Sequence, residues 1–304
     1  MKKMTGYKKQ RQQHSVSSKA RLQLVTSMAV FGTLAIFVRN IHLSSGELAL
    51  YRAILAALLI GGYLLISSDK LRLSSIKKEL PLLLLSGAAM GINWILLFQA
   101  YRYTSVSAAT LSYYFAPIIV TVVSPFLFCE KLTKKQILCF GMSTVGVFLI
   151  IGIPDSGGSM VSGNGTLGIF FGLGAACFYA AVILLNKFIK TVTGIHRTFL
   201  QFLAAIAVLI PYVVFTGGIH LNSLDASGWI NLLIVGLIHT GITYCLYFSS
   251  LKELPGQEAA ILSYVDPLVA VIVSVTVLGE SISPLQVLGG ILLLGFALWN
   301  EKGT

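Results

Sequence analysis

The sequence predicts an all-α integral membrane protein of ten transmembrane helices, built as two inverted five-helix repeats with both termini in the cytoplasm. Three observations predict this fold class: an apolar composition, a regular series of apolar windows and an internal repeat. Hydrophobic residues make up 56% of the chain and charged residues 11%, and the mean hydropathy is +0.84. A soluble chain of this length cannot keep so much apolar surface out of water, which excludes the soluble classes of protein.

The apolar windows predict helices because each is long enough to cross a hydrocarbon core about 30 Å thick. Backbone polar groups find no water in that core, and a barrel would show short alternating segments instead. The connections between the windows are short. In chain order the predicted spans are Leu22–Val38, Ser45–Ser67, Leu80–Tyr103, Ser105–Phe128, Gln136–Ile153, Thr166–Phe188, Ile195–Thr216, Ala226–Ser250, Gln257–Leu278 and Pro284–Asn300.

The net charge of +11 at pH 7 suggests a nucleic-acid partner, but the distribution of the charge excludes one. Basic residues precede the first span and follow the second, fourth and sixth, whereas the opposite side has only Arg39, Arg52 and Arg102. This asymmetry follows the positive-inside rule and places both termini in the cytoplasm. Residues 1–21 are therefore predicted to be a basic cytoplasmic tail, disordered before residue 20 and close to anionic membrane lipid.

An internal repeat divides the chain into two halves. A shift of 150 residues lays the third and fourth spans on the eighth and ninth, and it matches Gly91 with Gly241, Trp94 with Tyr244, Pro117 with Pro267 and Glu130 with Glu280. Nearer the starts of the halves the shift is smaller, since it pairs Phe31 with Phe178 and Tyr63 with Tyr212.

Each repeat holds an odd number of spans, so the second must enter the membrane from the opposite side. The predicted domains are a first repeat at residues 22–153, an extracytoplasmic linker at 154–165, a second repeat at 166–300 and a cytoplasmic C-terminus at 301–304. Inverted repeats suit a molecule that opens alternately to the two sides of a membrane around a central site.

An ordered set of short motifs recurs in both halves of the chain. The motifs are the run from Phe98 to Ala109, Pro117, Glu130-Lys131-Leu132-Thr133, Glu258-Ala259-Ala260, Asp266-Pro267 and Leu278-Gly279-Glu280. Together they resemble the EamA branch of the drug/metabolite transporter superfamily, in both repeats and over essentially the whole chain after residue 20. The chain departs from the family at Asp266, where glutamate is frequent, and at Cys129, where glycine is usual. The resemblance implies that Glu130 and Glu280 fix loops and that spans three, four, eight and nine help line a central cavity.

Asp266 is the first candidate for substrate contact. It lies nine residues into its predicted span, where an ionised side chain is costly and faces a partner or a wet cavity. It would bind a substrate ammonium group or exchange a proton. The alternative is a structural hydrogen bond to a neighbouring helix. Glu258, one residue into the same span, is expected at the interface.

Two basic side chains inside predicted spans have two interpretations each. Arg52 would clamp a substrate carboxylate with its fork of donors, or it would snorkel to the outer interface. His239 would bind substrate or shuttle a proton, or it would be a hydrogen-bonded residue of the helix bundle.

Aromatic residues and two prolines complete the candidate site. Trp94 and Tyr101 share one face of the third span, and Tyr113, Tyr244 and Tyr264 lie in the fourth, eighth and ninth. They would stack on an apolar or cationic substrate, or they would pack in the core. Prolines within helices free the carbonyl four residues earlier, so Pro117 and Pro267 are predicted gating kinks that free the carbonyls of Tyr113 and Ser263.

These residues predict a secondary carrier that exports an amino acid or a related small metabolite across a bacterial cytoplasmic membrane. An exporter of lipophilic cations fits the same aromatic residues and carboxylate, and a channel or a membrane-embedded enzyme is the alternative of another class. No phosphate-binding loop, catalytic cluster or metal-ligand spacing occurs in the sequence, so no enzyme activity, metal or cofactor is predicted. The partners expected are a small-molecule substrate and membrane lipid, and a homo-oligomer stays open.

Overall fold

The computed structural model describes residues 18–67, 73–128, 133–151, 165–192, 194–251, 253–254 and 262–301. Within these ranges the chain is helical apart from turns and short connections. The predictions for the tail before residue 18, for the linker up to residue 164, and for Cys129, Glu130 and Glu258 concern residues outside the described ranges.

Ten helices occur in the described residues, in the order that the apolar windows predict. They are α1 (Ser18–Val38), α2 (Ser45–Ile66), α3 (Leu73–Tyr103), α4 (Val106–Phe128), α5 (Lys134–Ile151), α6 (Gly165–Phe188), α7 (Gly194–Thr216), α8 (Ala226–Ser250), α9 (Val265–Thr276) and α10 (Pro284–Glu301). Seven of them, α1 to α4 and α6 to α8, are long and apolar enough to cross a membrane, and α9 and α10 are shorter apolar helices.

Three helices differ from the predicted bounds by more than two residues at one end or at both. The first begins at Ser18 and the third at Leu73, several residues before the predicted starts. Apolar windows mark only the part of a helix inside hydrocarbon, and both helices continue into polar sequence at their ends. The ninth begins at Val265 and ends at Thr276, which is shorter at both ends than predicted, and residues 257–261 of that prediction are not described.

The helices of each half pack mainly on those of the other half. α3 packs on α6 and α7, and its counterpart α8 packs on α1 and α2. Likewise α4 packs on α6 and α9 packs on α1, while α2 with α7, α4 with α9 and α5 with α10 pair counterparts directly. Exchanging the two halves therefore maps this set of contacts onto itself, as a pseudo-two-fold relation requires.

The two matched prolines stand where helical segments begin. α4 is interrupted by a turn at residues 114–115, and Pro117 lies in the first turn of the segment that follows. α9 begins after a turn at Tyr264, and Pro267 lies in its first turn. The sequence predicted both prolines in helix interiors. In the structure each occupies a position where a missing N–H breaks no helical hydrogen bond, and the interruption of the helix comes just before the proline.

Glu280 connects the loop after α9 to the start of α4. Its Oε2 accepts hydrogen bonds from the Val106 amide at 2.8 Å and from the Ser274 hydroxyl, and its Oε1 lies 2.5 Å from Arg39 Nη2. Gly279 before it has φ +66°, a conformation that glycine adopts without strain. These contacts correspond to the loop-fixing role that the resemblance implies for Glu280.

Glu79 of α3 fixes the connection between α6 and α7, a role that the sequence did not suggest. Its Oε1 accepts from the amides of Lys190 at 2.7 Å and Thr191 at 2.9 Å, and its Oε2 accepts from the amide of Val192 at 2.9 Å. Both carboxylate oxygens are thus occupied by backbone donors.

We expect Glu79→Gln to lower the free energy of unfolding by about 2–3 kcal/mol, because one oxygen becomes an NH₂ group that faces backbone donors. Thermal unfolding of the purified protein in detergent measures the change. Glu253→Gln is the matched control, since Glu253 is exposed. Equal stability of the two variants would contradict the anchoring role.

Candidate functional site

A cavity of about 510 Å³ lies between the two halves of the helix bundle. Side chains of α1 to α4 from the first half and of α6 to α9 from the second half line it. Most of these residues are apolar or aromatic, and a few carry charged, amide or hydroxyl groups. Such volume and lining are typical of sites for small organic molecules, which measure about 300–1,000 Å³.

The cavity brings together most of the residues that the sequence proposes for substrate contact. The lining includes Arg52, Trp94, Tyr101, Tyr113, Tyr244, Ser263, Tyr264 and Asp266. Pro117 also lines the cavity, whereas Pro267 is buried in α9 and His239 lies outside the lining. Contact between these residues and a substrate stays a prediction.

Asp266 is the one acidic residue among the described residues that line the cavity. Its Oδ2 accepts a hydrogen bond from the Tyr114 hydroxyl at 2.7 Å. The same hydroxyl lies 3.3 Å from the carbonyl oxygen of Ser263, the group that the sequence predicted Pro267 to free. The Ser263 carbonyl is therefore next to a tyrosine of α4.

The backbone of Asp266 lies directly against α1. A Cβ atom built on Gly32 would lie 2.7 Å from the backbone oxygen of Asp266 and 2.7 Å from the Cβ of Val269. Contacts that close exclude any side chain at position 32. Phe31, the preceding residue of α1, lines the cavity, so α1 holds the carboxylate-bearing segment and also forms part of the wall.

Arg52 is buried inside the bundle, with 3% of its surface exposed. Its Nε donates to Thr240 Oγ1 at 3.1 Å. The guanidinium carbon lies 4.7 Å from the centre of the Trp94 ring and 5.3 Å from that of Phe98, distances at which a cation is attracted to an aromatic face. The interpretation that Arg52 snorkels to the outer interface is therefore wrong, because its face of α2 points toward α3 and α8.

Aromatic rings form much of the cavity wall and connect the two repeats. Phe202 of α7 lies between Trp94 and Tyr244, with ring centres 5.3 and 5.4 Å apart. Trp94 and Tyr244 are the pair that the repeat matches, so Phe202 joins equivalent positions of α3 and α8. Tyr113 and Tyr179 stack with ring centres 5.2 Å apart. These rings offer faces on which apolar or cationic groups stack.

His239 contacts α1 and its own helix. Its Nε2 lies 3.0 Å from Thr33 Oγ1 and its Nδ1 lies 3.4 Å from the carbonyl oxygen of Ile234. The Phe37 ring packs 4.8 Å from the imidazole. Both ring nitrogens therefore have partners within the bundle, which is the arrangement expected of a structural histidine.

The sequence did not single out a polar cluster at the α6–α7 side of the cavity. Gln201 Nε2 donates to Ser86 Oγ at 2.6 Å and to Asn186 Oδ1 at 2.7 Å. Arg197 Nη1 lies 3.5 Å from the carbonyl oxygen of Asn186. A polar residue inside an apolar span is the signal that points to Gln201, because an unbonded amide in hydrocarbon is costly.

Tyr114 holds the carboxylate of Asp266, a contact that the sequence did not suggest. Its ring lies 6.1 Å from that of Tyr264, and the two tyrosines are 150 residues apart. The sequence signal for Tyr114 was that the 150-residue shift of the repeat pairs it with Tyr264. The same shift places Ala116 opposite Asp266, so the carboxylate belongs to the second repeat alone.

Comparison with known proteins agrees with this architecture. A model of the EamA-like transporter family matches residues 18–152 and 166–300. A solved crystal structure superposes with a TM-score of 0.64 over 92% of this chain and 95% of that chain. The sequence identity between the two is 15%, so this likeness concerns the fold alone.

Three curated relatives are transporters by name. The Bacillus subtilis "Uncharacterized transporter YxxF" is 32% identical over 94% of this chain and 92% of its own length. An "Uncharacterized transporter" of Archaeoglobus fulgidus is 27% identical over 91% of this chain and 95% of its own length. A "Probable amino-acid metabolite efflux pump" of Salmonella typhimurium is 23% identical over 75% of this chain and 79% of its own length.

Because one family domain covers each half of the chain and a relative above 30% identity spans nearly all of it, this protein belongs to the EamA-like transporter family of the drug/metabolite transporter superfamily, and it is a multi-pass membrane transporter and not an enzyme.

Proposed function

We propose that the protein is a secondary carrier that exports an amino acid or a closely related small metabolite. The observation that carries the proposal is that a guanidinium, of Arg52, and a carboxylate, of Asp266, line the same cavity with aromatic walls. An amino acid presents a carboxylate, an ammonium group and a side chain, and the cavity has a complementary group for each.

The two charges are available to a substrate because their bonding partners are neutral. Arg52 donates to the Thr240 hydroxyl and Asp266 accepts from the Tyr114 hydroxyl. Both residues line the cavity together with Tyr101 and Tyr244, which supports their proximity around one space. Neither charge is neutralised by an opposite side chain in the described part of the protein, so a zwitterion would satisfy both.

The repeat supports transport by alternating access. Helices of both halves line the cavity, and an in-plane pseudo-two-fold axis would give the outward-open and inward-open states equivalent packing. The positive-inside charge distribution supports cytoplasmic termini. Relatives from Bacillus and Salmonella support a bacterial cytoplasmic membrane, and the name of the Salmonella relative supports export of an amino-acid metabolite.

An exporter of lipophilic cations is the second candidate, because the aromatic walls and Asp266 would also hold a cation. Arg52 distinguishes the two functions. A buried guanidinium repels a cation that has no carboxylate, whereas it attracts the carboxylate of an amino acid.

Counterflow in liposomes tests the proposal. The purified protein is reconstituted with one unlabelled compound inside the liposomes, and uptake of the same compound in labelled form is followed. A panel of amino acids and one lipophilic cation is tested in this way. We expect saturable counterflow for one class of amino acids and none for the cation. Counterflow of the cation alone would replace the proposal with the second candidate. Flux that does not saturate and shows no counterflow would indicate a channel.

A further inference from the structure

The middle of α8 is a nine-residue π-helix, Ile234–Ile242. Its side-chain hydrogen bonds follow the five-residue period of that helix. Thr240 Oγ1 donates to the carbonyl oxygen of Val235 at 2.8 Å, and Thr243 Oγ1 donates to that of Ile238 at 2.8 Å. π-Helical turns are rare and are frequently found at functional sites. The repeat-related helix α3 shows what α8 would be without this turn.

Equivalent glycine contacts locate an extra residue in α8. In α3, Gly87 and Gly91 are four residues apart and pack on α7, where Cβ atoms built on them would meet Ala204 and Leu209. In α8, Gly236 and Gly241 are five residues apart and pack on α2, where the corresponding Cβ atoms would meet Leu55 and Leu59. α7 and α2 are counterparts, so these are matching contacts of the two repeats.

The shift between the repeats changes at the same place. It is 149 residues from Gly87 to Gly236 and 150 from Gly91 to Gly241. The glycine contacts hold both ends of this stretch against a neighbouring helix. One added residue between fixed ends widens the helical turn, and a π-helix is the form that accommodates it.

The added residue lies in the stretch that carries Thr240. Between its glycines α3 has only Ala88, Ala89 and Met90, and none of these carries a hydroxyl. The Thr240 hydroxyl gives its proton to Val235, so its lone pair accepts from Arg52 Nε at 3.1 Å. Because Nε is thereby engaged, the terminal Nη groups of the guanidinium are the ones that remain for an anion.

We propose that Thr240 is a positioning residue, which holds Arg52 so that the cavity selects substrates with a carboxylate over those without one. The proposal rests on the proposed function, since it concerns how the same cavity recognises its substrate. Thr240, which does not itself line the cavity, acts through Arg52. When Nε of Arg52 is held by Thr240, the guanidinium stays over the Trp94 ring with both Nη groups directed at a substrate carboxylate. Without that bond the guanidinium has more orientations, and fewer of them allow two parallel hydrogen bonds to the carboxylate.

The test compares an amino acid with its carboxamide, which has nearly the same shape and no negative charge. Counterflow of both compounds is measured for the wild type, Thr240→Val, Thr240→Ser and Thr243→Val. We expect the wild type to prefer the acid and Thr240→Val to lose on the order of tenfold of that preference, with the carboxamide rate nearly unchanged. Thr240→Ser keeps the acceptor and restores the preference.

Thr243→Val is the matched control because Thr243, the residue directly after the π-helix, makes the same five-residue bond to a backbone carbonyl of that helix and is also buried. No bond joins Thr243 to Arg52 in the described residues. A merely structural role would lower acid and carboxamide transport together. The proposal is overturned if Thr240→Val lowers both rates equally, or if Thr243→Val changes the preference as much.

A second readout separates this proposal from the proposed function. In a protein whose Trp229 and Trp299 are replaced by phenylalanine, the emission of Trp94 reports the guanidinium 4.7 Å away. We expect Thr240→Val to shift that emission and Thr243→Val to leave it unchanged. Failure of the wild type to transport either compound would refute the proposed function, while an unshifted emission would refute the tether.

Discussion

Asp266→Asn is expected to reduce saturable counterflow by about a hundredfold, the largest loss of any single substitution in the cavity. Asparagine has the shape of aspartate, and its Oδ1 still accepts from the Tyr114 hydroxyl, which now lies 2.7 Å from Asp266 Oδ2. The folded structure is therefore retained. What disappears is the negative charge, in a cavity where Asp266 is the one acidic group among the described lining residues.

Counterflow of the labelled amino acid into proteoliposomes measures this loss, and thermal unfolding in detergent verifies that the variant is folded. Asp225→Asn is the matched control. Asp225 caps the start of α8 by accepting from the Gly228 amide at 2.7 Å, and asparagine caps helices equally well. Full counterflow by Asp266→Asn would restrict Asp266 to a structural hydrogen bond with Tyr114.

Gly32→Ala is expected to lower both stability and transport. A methyl group at position 32 would lie 2.7 Å from the backbone oxygen of Asp266 and from the Cβ of Val269. A backbone atom cannot rotate away, so α1 and α9 must separate. Overpacking of this kind costs about 1–3 kcal/mol of unfolding free energy, and the displaced segment is the one that carries Asp266.

The same substitution at open positions is the control for Gly32→Ala. Cβ atoms built on Gly62 of α2 and Gly295 of α10 meet nothing within 4 Å, and alanine favours a helix over glycine by about 1 kcal/mol. We expect Gly62→Ala and Gly295→Ala to unfold at or slightly above the wild-type temperature with normal counterflow. A Gly32→Ala protein as stable and active as these would show that α1 moves away from α9 without cost.

The sequence was most informative where one residue type stands out against its surroundings. Asp266 is a carboxylate inside an apolar window, and hydrocarbon makes such a residue costly enough to stand out. Trp94 and Tyr244 were found through the repeat, and both line the cavity. The order of the helices also followed from the apolar windows, because the thickness of the bilayer sets their length.

The sequence was least informative where two neighbours decide the role of a residue. Arg52 lies near enough to its helix start to reach the interface, and only the packing of α3 and α8 around it shows that it is buried. Tyr114 and Thr240 resemble many other residues of apolar helices. Their roles follow from single hydrogen bonds to residues more than 150 positions away along the chain.

By itself, then, the sequence determined the class of fold, the two repeats, the order of the helices and the carboxylate of the second repeat. Each of these follows from a one-dimensional pattern, because hydrocarbon imposes length and apolarity on every span and a repeat is visible as a constant shift. Only the tertiary structure decided which side chains share the cavity, which partner holds each charge and where α8 takes up its extra residue. Those facts depend on which faces of two helices meet, and close packing sets that contact between residues far apart along the chain.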